Sequence, residues 1–164
     1  MCVVIDSAVW ISLYAGGMHL SAVRLGTVVC AVDAVVAELL TMPDGEQLRK
    51  HGLRVEEASG SAVQMAYEWR AEDDRLSAAD ALSLALAHNH GWRLATRDGP
   101  LEEMAARVGV HVLHVVDVIG MLAEAELIAE GDIARFKKGM HDAERPYDKR
   151  ALGAILKRIK RGDP

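Results

Sequence analysis

Val3-Val4-Ile5-Asp6-Ser7 and Trp92-Arg93-Leu94-Ala95-Thr96-Arg97-Asp98 carry the reading of this chain. Each is a short apolar run that stops at an acid. Such a run, bounded by a capping or turn residue, fits a buried strand, so Asp6 and Asp98 stand where two strands end. In parallel α/β sheets ligands bind outside the carboxyl ends of the strands, and acids gathered there from distant parts of a sequence make a natural site for a hard divalent cation.

Working outward, Ser7 reads as the N-cap of a helix over residues 8–15, closed by Gly16-Gly17. Residues 28–32 form a second strand, and Asp33 caps a helix that runs to about Thr41, before Pro43. Val35, Val36, Leu39 and Leu40 make its apolar face; at 100° per residue Glu38 falls beside that arc, within reach of the rim of a sheet. Asp44 and Gln47 have capping-box spacing and open a short element ending at Gly52. A third strand follows over residues 53–57. A helix over 61–74 offers Val63, Met65, Ala66 and Trp69 to the core.

Ser77 caps the next helix, residues 78–89, which is apolar nearly all round and therefore buried. The strand over 92–96 leads into a helix over 101–108 ended by Gly109, and residues 110–116 form the last strand. Three helices complete the chain, over 118–130, 133–140 and 151–161, with Pro146 in a polar link between the last two. Alternating strand and helix predicts an α/β fold: a central parallel sheet with helices on its faces in three α/β/α layers, with additional C-terminal helices. Residues 1–130 form the expected catalytic domain and 131–164 a basic helical extension packed on or appended to it.

The composition is that of an ordinary globular protein: 164 residues, 51% hydrophobic, 26% charged, net charge −5. Charge interrupts every apolar stretch before the roughly 18 residues of a membrane span, and Asp6 arrives too early for a secretory leader, so a cytoplasmic location is expected. Cys2 and Cys30 lie in apolar runs and read as small buried hydrophobes in a reducing compartment. The charge is uneven. Residues 1–134 hold nine Lys or Arg against twenty Asp or Glu, and residues 135–164 hold ten against four. A basic tail on an acidic body suggests an anionic partner; a solvated helix end is the other reading.

Each acid also has a purely structural reading. Asp6 and Asp98 could accept hydrogen bonds from turn amides. Asp80, three residues after Ser77, could close a capping box, yet an ionised carboxylate in an otherwise buried helix needs a partner, and a cation is one. Glu38 alone would be a solvated helix residue. Asp117, Asp33 and Asp44 read better as helix caps.

Asp6-Ser7 after a buried strand, Glu38 in Ala37-Glu38-Leu39-Leu40, Asp80 in Leu76-Ser77-Ala78-Ala79-Asp80-Ala81, and Thr96-Arg97-Asp98 form an ordered set. That set, over roughly residues 2–120, resembles the PIN domain family, and within it the small prokaryotic ribonucleases that include the VapC-type toxins. The helices after Asp117 look similar to a PIN branch with a C-terminal extension. The resemblance implies that Asp6, Glu38, Asp80 and Asp98 are catalytic and bind Mg2+ or Mn2+, with Ser7 and Thr96 in support. It also implies a metal-dependent endoribonuclease that hydrolyses RNA phosphodiester bonds to 5′-phosphate and 3′-hydroxyl ends. Such an enzyme could be the toxin of a type II toxin-antitoxin pair, with an antitoxin protein as partner. An acidic site needs basic groups to hold RNA. Arg97 and the tail residues Lys137, Lys138, Lys149, Arg150, Lys157, Arg158, Lys160 and Arg161 are the candidates.

The alternative is a non-catalytic PIN-fold module that binds RNA or a protein. A homodimer is expected if Trp10, Leu13 and Tyr14 are exposed on the first helix; they could equally be core. His88 and His90 with His111 and His114 invite a zinc-hydrolase reading, but the pattern of Cys or His-Glu ligands of a typical zinc site is missing. Nucleotide-binding glycine loops and a serine nucleophile elbow are also missing from the sequence.

Overall fold

The computed structural model describes residues 2–27, 29–43 and 45–162. Five strands, β1 (Val3–Ile5), β2 (Val29–Val32), β3 (Arg54–Glu56), β4 (Arg93–Ala95) and β5 (Val112–Leu113), form one sheet in the order β3-β2-β1-β4-β5. Every pairing is parallel, as the buried strands predict, and Ile5 stands opposite Ala95 in the central β1–β4 pair.

This order fixes where a site can form. From β1 to β2 to β3 the chain steps one way across the sheet; from β3 to β4 it returns past β1 and continues the other way. Right-handed crossovers therefore put the helices of the two halves on opposite faces, giving the three-layer α/β/α architecture. The reversal lies between β1 and β4, so the crevice outside the carboxyl ends of those two strands is the place a ligand can enter.

On one face lies α6 (Ala78–His90), against β1, β2 and β4, with α5 (Gly60–Glu72) on its outer side. Covered on both sides, α6 buries Leu84 and Leu86 as well as Ala81 and Ala85, which explains an apolar surface all round. Each buried leucine stabilises the fold by about 1.5–3 kcal/mol. Its Ser77–Asp80 capping box forms as predicted, and Gly91 ends it in the left-handed region at φ 61. Ala62 and Ala66 of α5 meet Ala81 and Ala85 of α6, so small side chains set this close helix pair. Val63 of α5 is exposed instead of core, because the alanine stripe turns it outward. Ala85→Leu should overpack the pair and cost about 1–3 kcal/mol. A thermal melt checks this; an unchanged midpoint would mean that the helices stand further apart than shown.

The other elements are α1 (Ser7–Ala15), α2 (His19–Val23), α3 (Asp33–Leu39), α4 (Gly45–Lys50), α7 (Gly99–Arg107), α8 (Val115–Glu124), α9 (Glu130–Asp142) and α10 (Lys149–Arg161). Several boundaries correct the sequence reading. Asp6, not Ser7, is the N-cap of α1, and Ser7 is its first helical residue. Likewise Val32 caps α3 and Asp33 begins it. The last strand is only Val112–Leu113, because α8 starts at Val115; Asp117 therefore sits in its first turn and accepts from the His114 amide at 2.7 Å. The expected cap Asp44 and the expected strand start Val28 lie outside the described residues.

Trp10 and Leu13 are fully buried and Tyr14 partly so; the first two belong to the core and offer no dimer surface. The C-terminal helices join the same core through Ile133, Phe136, Met140, Leu152 and Ile155. Helix α9 packs on α1, and α10 on α8 and α9. Phe136 stands so close over Gly16 that a Cβ there would lie 2.2 Å from its ring.

Candidate functional site

The β1–β4 register carries the chain into the site. With Ile5 opposite Ala95, the next residues, Asp6 and Thr96, are neighbours at the strand ends, and the Asp6 amide donates to the Ala95 carbonyl at 3.0 Å. Asp6 is 1% exposed and Thr96 is fully buried. The Asp6 carboxylate takes two hydrogen bonds: Oδ1 accepts from the Val9 amide at 2.8 Å, and Oδ2 accepts a short one from the Thr96 hydroxyl. Thr96 Oγ1 in turn accepts from the Asp98 amide at 3.1 Å.

Asp98 and Asp80 are partly buried. Asp98 caps α7, its Oδ1 accepting from the Leu101 amide at 3.0 Å. Asp80 Oδ2 accepts from the Ser77 amide at 3.1 Å. All three acids therefore accept backbone amides, as the structural reading of each allowed, and each carboxylate keeps acceptor capacity to spare. Burial pushes the Asp6 carboxyl up to about 6; the bonds from Thr96 and Val9 pull it down, and the charges of Asp80 and Asp98 push it up. The charges of Asp80 and Asp98 thus stand near enough to be felt at Asp6.

Glu38 is brought less close. It is exposed in the last turn of α3, about 8 Å along the helix from the end of β2, and hydrogen-bonds to none of the other three. No three Asp, Glu, His or Cys side chains among the described residues stand as a ready metal-binding group. Ser7, the expected support, lies partly buried in the first turn of α1.

Two arginines flank the acids. Arg97 Nη1 reaches Ser12 Oγ and its Nη2 reaches the Pro146 carbonyl, both at 3.5 Å. Arg145, from the link between α9 and α10, donates through Nε to Ser12 Oγ at 3.0 Å and through Nη2 to the Ala8 carbonyl at 2.9 Å. The sequence reading missed Arg145 and Ser12. A single arginine before a proline carries no periodic signal, and Ser12 looks like any polar position on a helix.

The tail is less available than its charge suggests. Arg158 pairs with Glu124 at 3.0 Å, Lys160 with Glu130 at 2.8 Å, and Lys138 with Asp142. Lys137 is partly buried, and Lys149, Arg150, Lys157 and Arg161 are exposed. His88 packs edge-on to Trp69, His90 stacks on Trp92 with ring centres 4.2 Å apart, and His114 lies 3.5 Å from Glu102, so the histidines are spread over separate contacts. No helix among the described residues is long and apolar enough to cross a membrane.

Among solved structures, a PilT N-terminus domain protein from the hyperthermophilic archaeon Sulfolobus solfataricus P2 superposes with a TM-score of 0.53 at 12% identity, covering 74% of this chain and 93% of that one. At that identity the likeness speaks for the fold alone. None of the curated proteins compared matches the chain. The PIN domain model matches residues 3–107, which run from β1 through α7 and hold Asp6, Glu38, Asp80, Thr96 and Asp98. With that match over most of its length and a sheet that turns back at Asp6 and Thr96, the chain belongs to the PIN domain family.

Proposed function

We propose that the protein is a metal-dependent endoribonuclease working in the cytoplasm. A nuclease-type fold comes with the family. The observation that carries the finer reading is Asp6: an acid at the reversal of the sheet, held by Thr96 and Val9, whose ionisation is made costly first by burial and further by the charges of Asp80 and Asp98. Capping accounts for each acid singly; the charges of Asp80 and Asp98 gathered within reach of a buried Asp6 are what a cation site would use.

The donor set fits a hard divalent cation, Mg2+ or Mn2+. All the donors are oxygens, each acid keeps lone pairs, and an ion held by one or two carboxylates with waters does not need a closed cage of protein ligands. Asp6, Asp80 and Asp98 would hold it, with Glu38 on the exposed side. Such an ion supplies positive charge at a phosphate and a water of lowered pKa. The chain's own part is orientation: Thr96 fixes the Asp6 carboxylate, α7 fixes Asp98, and the capping box fixes Asp80. Arg97 offsets the acidic rim for an incoming RNA phosphate, and the exposed tail cations Lys149, Arg150 and Lys157 offer longer-range attraction.

The test is a transcriptome-wide map of new 5′-phosphate RNA ends after brief induction in a bacterial host, comparing wild type with Asp6→Asn. Discrete ends that vanish in the variant support the reading; identical maps remove it. A toxin role predicts a short antitoxin reading frame immediately upstream. A second reading, a PIN-fold module that binds without cutting, is favoured by the use of all three rim acids as helix caps and by the lack of a ready three-ligand group among the described residues.

Metal binding has its own readout. Manganese should raise the melting midpoint at pH 7.5 by relieving repulsion among Asp6, Asp80 and Asp98, gaining about 2.7 kcal/mol at a hundred times its dissociation constant. Chelation should return the midpoint to the metal-free value, and Asp6→Asn should blunt the response. A midpoint indifferent to manganese would count against a cation site.

A further inference from the structure

We propose that Arg145, with Arg97 and the Ser12 hydroxyl, forms a seat for a backbone phosphate of bound RNA beside Asp6, so that the link between α9 and α10 completes the substrate site. The inference rests on the nuclease reading for its ligand, and on the geometry of the arginines for its place.

Both guanidinium groups converge on one hydroxyl. Arg145 Nε lies 3.0 Å and Arg97 Nη1 3.5 Å from Ser12 Oγ. Ser12 is fully buried and its hydroxyl donates to the Ala8 carbonyl at 2.9 Å, so its oxygen faces the arginines as an acceptor. Among the described residues neither arginine meets a carboxylate in a salt bridge, although Arg54, Arg75, Arg107, Arg135 and Arg158 each do. Two like charges drawn together in a partly buried place oppose each other, and burial and Arg97 both make the Arg145 charge harder to keep, while Asp6 favours it. Asp6 is the nearby counter-charge, and among the described residues no hydrogen bond or ion pair joins its carboxylate to either guanidinium.

Neutral acceptors hold the pair in place without balancing it. Arg145 uses Nε and Nη2 on Ser12 and Ala8, and its other N–H groups have no partner among the described residues. A phosphate satisfies this arrangement: it carries negative charge and several acceptor oxygens that a guanidinium fork meets two at a time. The link also lines an open groove, where Arg145 stands with His141, Tyr147 and Lys149 and with the acids Asp142 and Glu144.

The test is the affinity of a single-stranded oligoribonucleotide, read by fluorescence anisotropy in EDTA so that nothing is cut, over a range of salt. Arg145→Met should bind about 10-fold to 100-fold more weakly and lose about 0.7 from the salt slope. Arg145→Lys should fall between, since it keeps the charge without the fork. Affinity and slope equal to wild type in a folded Arg145→Met would overturn the seat; so would a lower melting midpoint with an unchanged slope, which marks a purely structural arginine. If Arg145→Met does not fold, the wild-type protein decides through the Arg145 Nε–H resonance. That signal should shift on adding the oligonucleotide, and a still signal overturns the proposal. Cleavage separates the two readings. Wild type that cuts, with Arg145→Met cutting at unchanged KM, removes the seat and keeps the nuclease. Wild type that binds through Arg145 yet never cuts keeps the seat and removes the nuclease.

Discussion

Asp6→Asn should lower RNA cleavage by about 10²–10³-fold, the scale of removing one preorganised electrostatic partner from a reacting centre, while leaving the protein at least as stable as wild type. The two effects have one cause. Asp6 is buried at the strand end with Asp80 and Asp98 near it, and its carboxyl is pushed up to about 6 against an ordinary value of 3.8. An asparagine can still accept from the Val9 amide and can donate to Thr96 Oγ1, so the α1 cap survives while the charge goes. Charge is what a cation site needs and what the metal-free fold pays to keep.

The pH dependence follows with a definite sign. Because the folded carboxyl holds its proton more tightly than the unfolded one, Asp6 contributes stability that is complete below the unfolded value of 3.8 and is lost as pH rises through about 6. By pH 7.5 the loss is about 3 kcal/mol at 1.36 kcal/mol per unit. Metal-free Asp6→Asn should therefore melt above wild type at pH 7.5, by several degrees at roughly 2–4 °C per kcal/mol, with the gap closing below pH 4. Melts at pH 4 and 7.5 with chelator present measure it. Equal midpoints at both would show that Asp6 is better solvated than its burial implies, and would weaken the cation reading with it.

The acids at the rim were legible because a strand end is a local event: an apolar run, then Asp6, and later another run, then Asp98. The sheet order was not spelled out by any one segment, yet alternating strands and helices sufficed for its parallel sense. Caps were read one residue off. Ser7 and Asp33 are good capping types, but the strands β1 and β2 end so that the N-caps fall at Asp6 and Val32. Partners across elements were illegible for a different reason. That Arg158 is drawn to Glu124 and Lys160 to Glu130 depends on how α10 lies on α8, which no periodicity states. Trp10 and Leu13 could be core or surface on sequence alone, because the helices packed around α1, namely α2, α3, α8 and α9, come from elsewhere in the chain. Arg145 is the extreme case. Its place on Ser12 and Ala8 follows a helix, α9, that comes close to α1 at Gly16 and Gly139.

Gly139→Ala tests that dependence, and should destabilise the protein by about 3 kcal/mol, at the upper end of overpacking costs. A Cβ on Gly139 would lie 1.9 Å from the Ala15 carbonyl oxygen and 3.1 Å from Gly16 Cα. Those are backbone atoms at the end of α1, so no side chain can swing aside; α9 must lift away. Gly153→Ala on α10 is the matched control: a Cβ there meets nothing within 4 Å, and alanine in mid-helix should gain up to about 1 kcal/mol. Opposite signs from one substitution type would show that Gly139 is kept for contact and not for flexibility. The effect reaches the site through the chain that follows: α9 ends at Asp142, Glu144 takes the left-handed conformation at φ 51, and the Arg145 amide donates back to the Met140 carbonyl at 2.9 Å. Arg145 is thus aimed at Ala8 and Ser12 by a helix whose height over α1 is set at Gly139. Lifting α9 should carry the guanidinium off those acceptors, so Gly139→Ala, measured below its lowered midpoint, should also weaken RNA binding. A destabilised variant with full affinity would show that the link finds Ser12 without the docking, and would cut the connection between the C-terminal helices and the acidic rim.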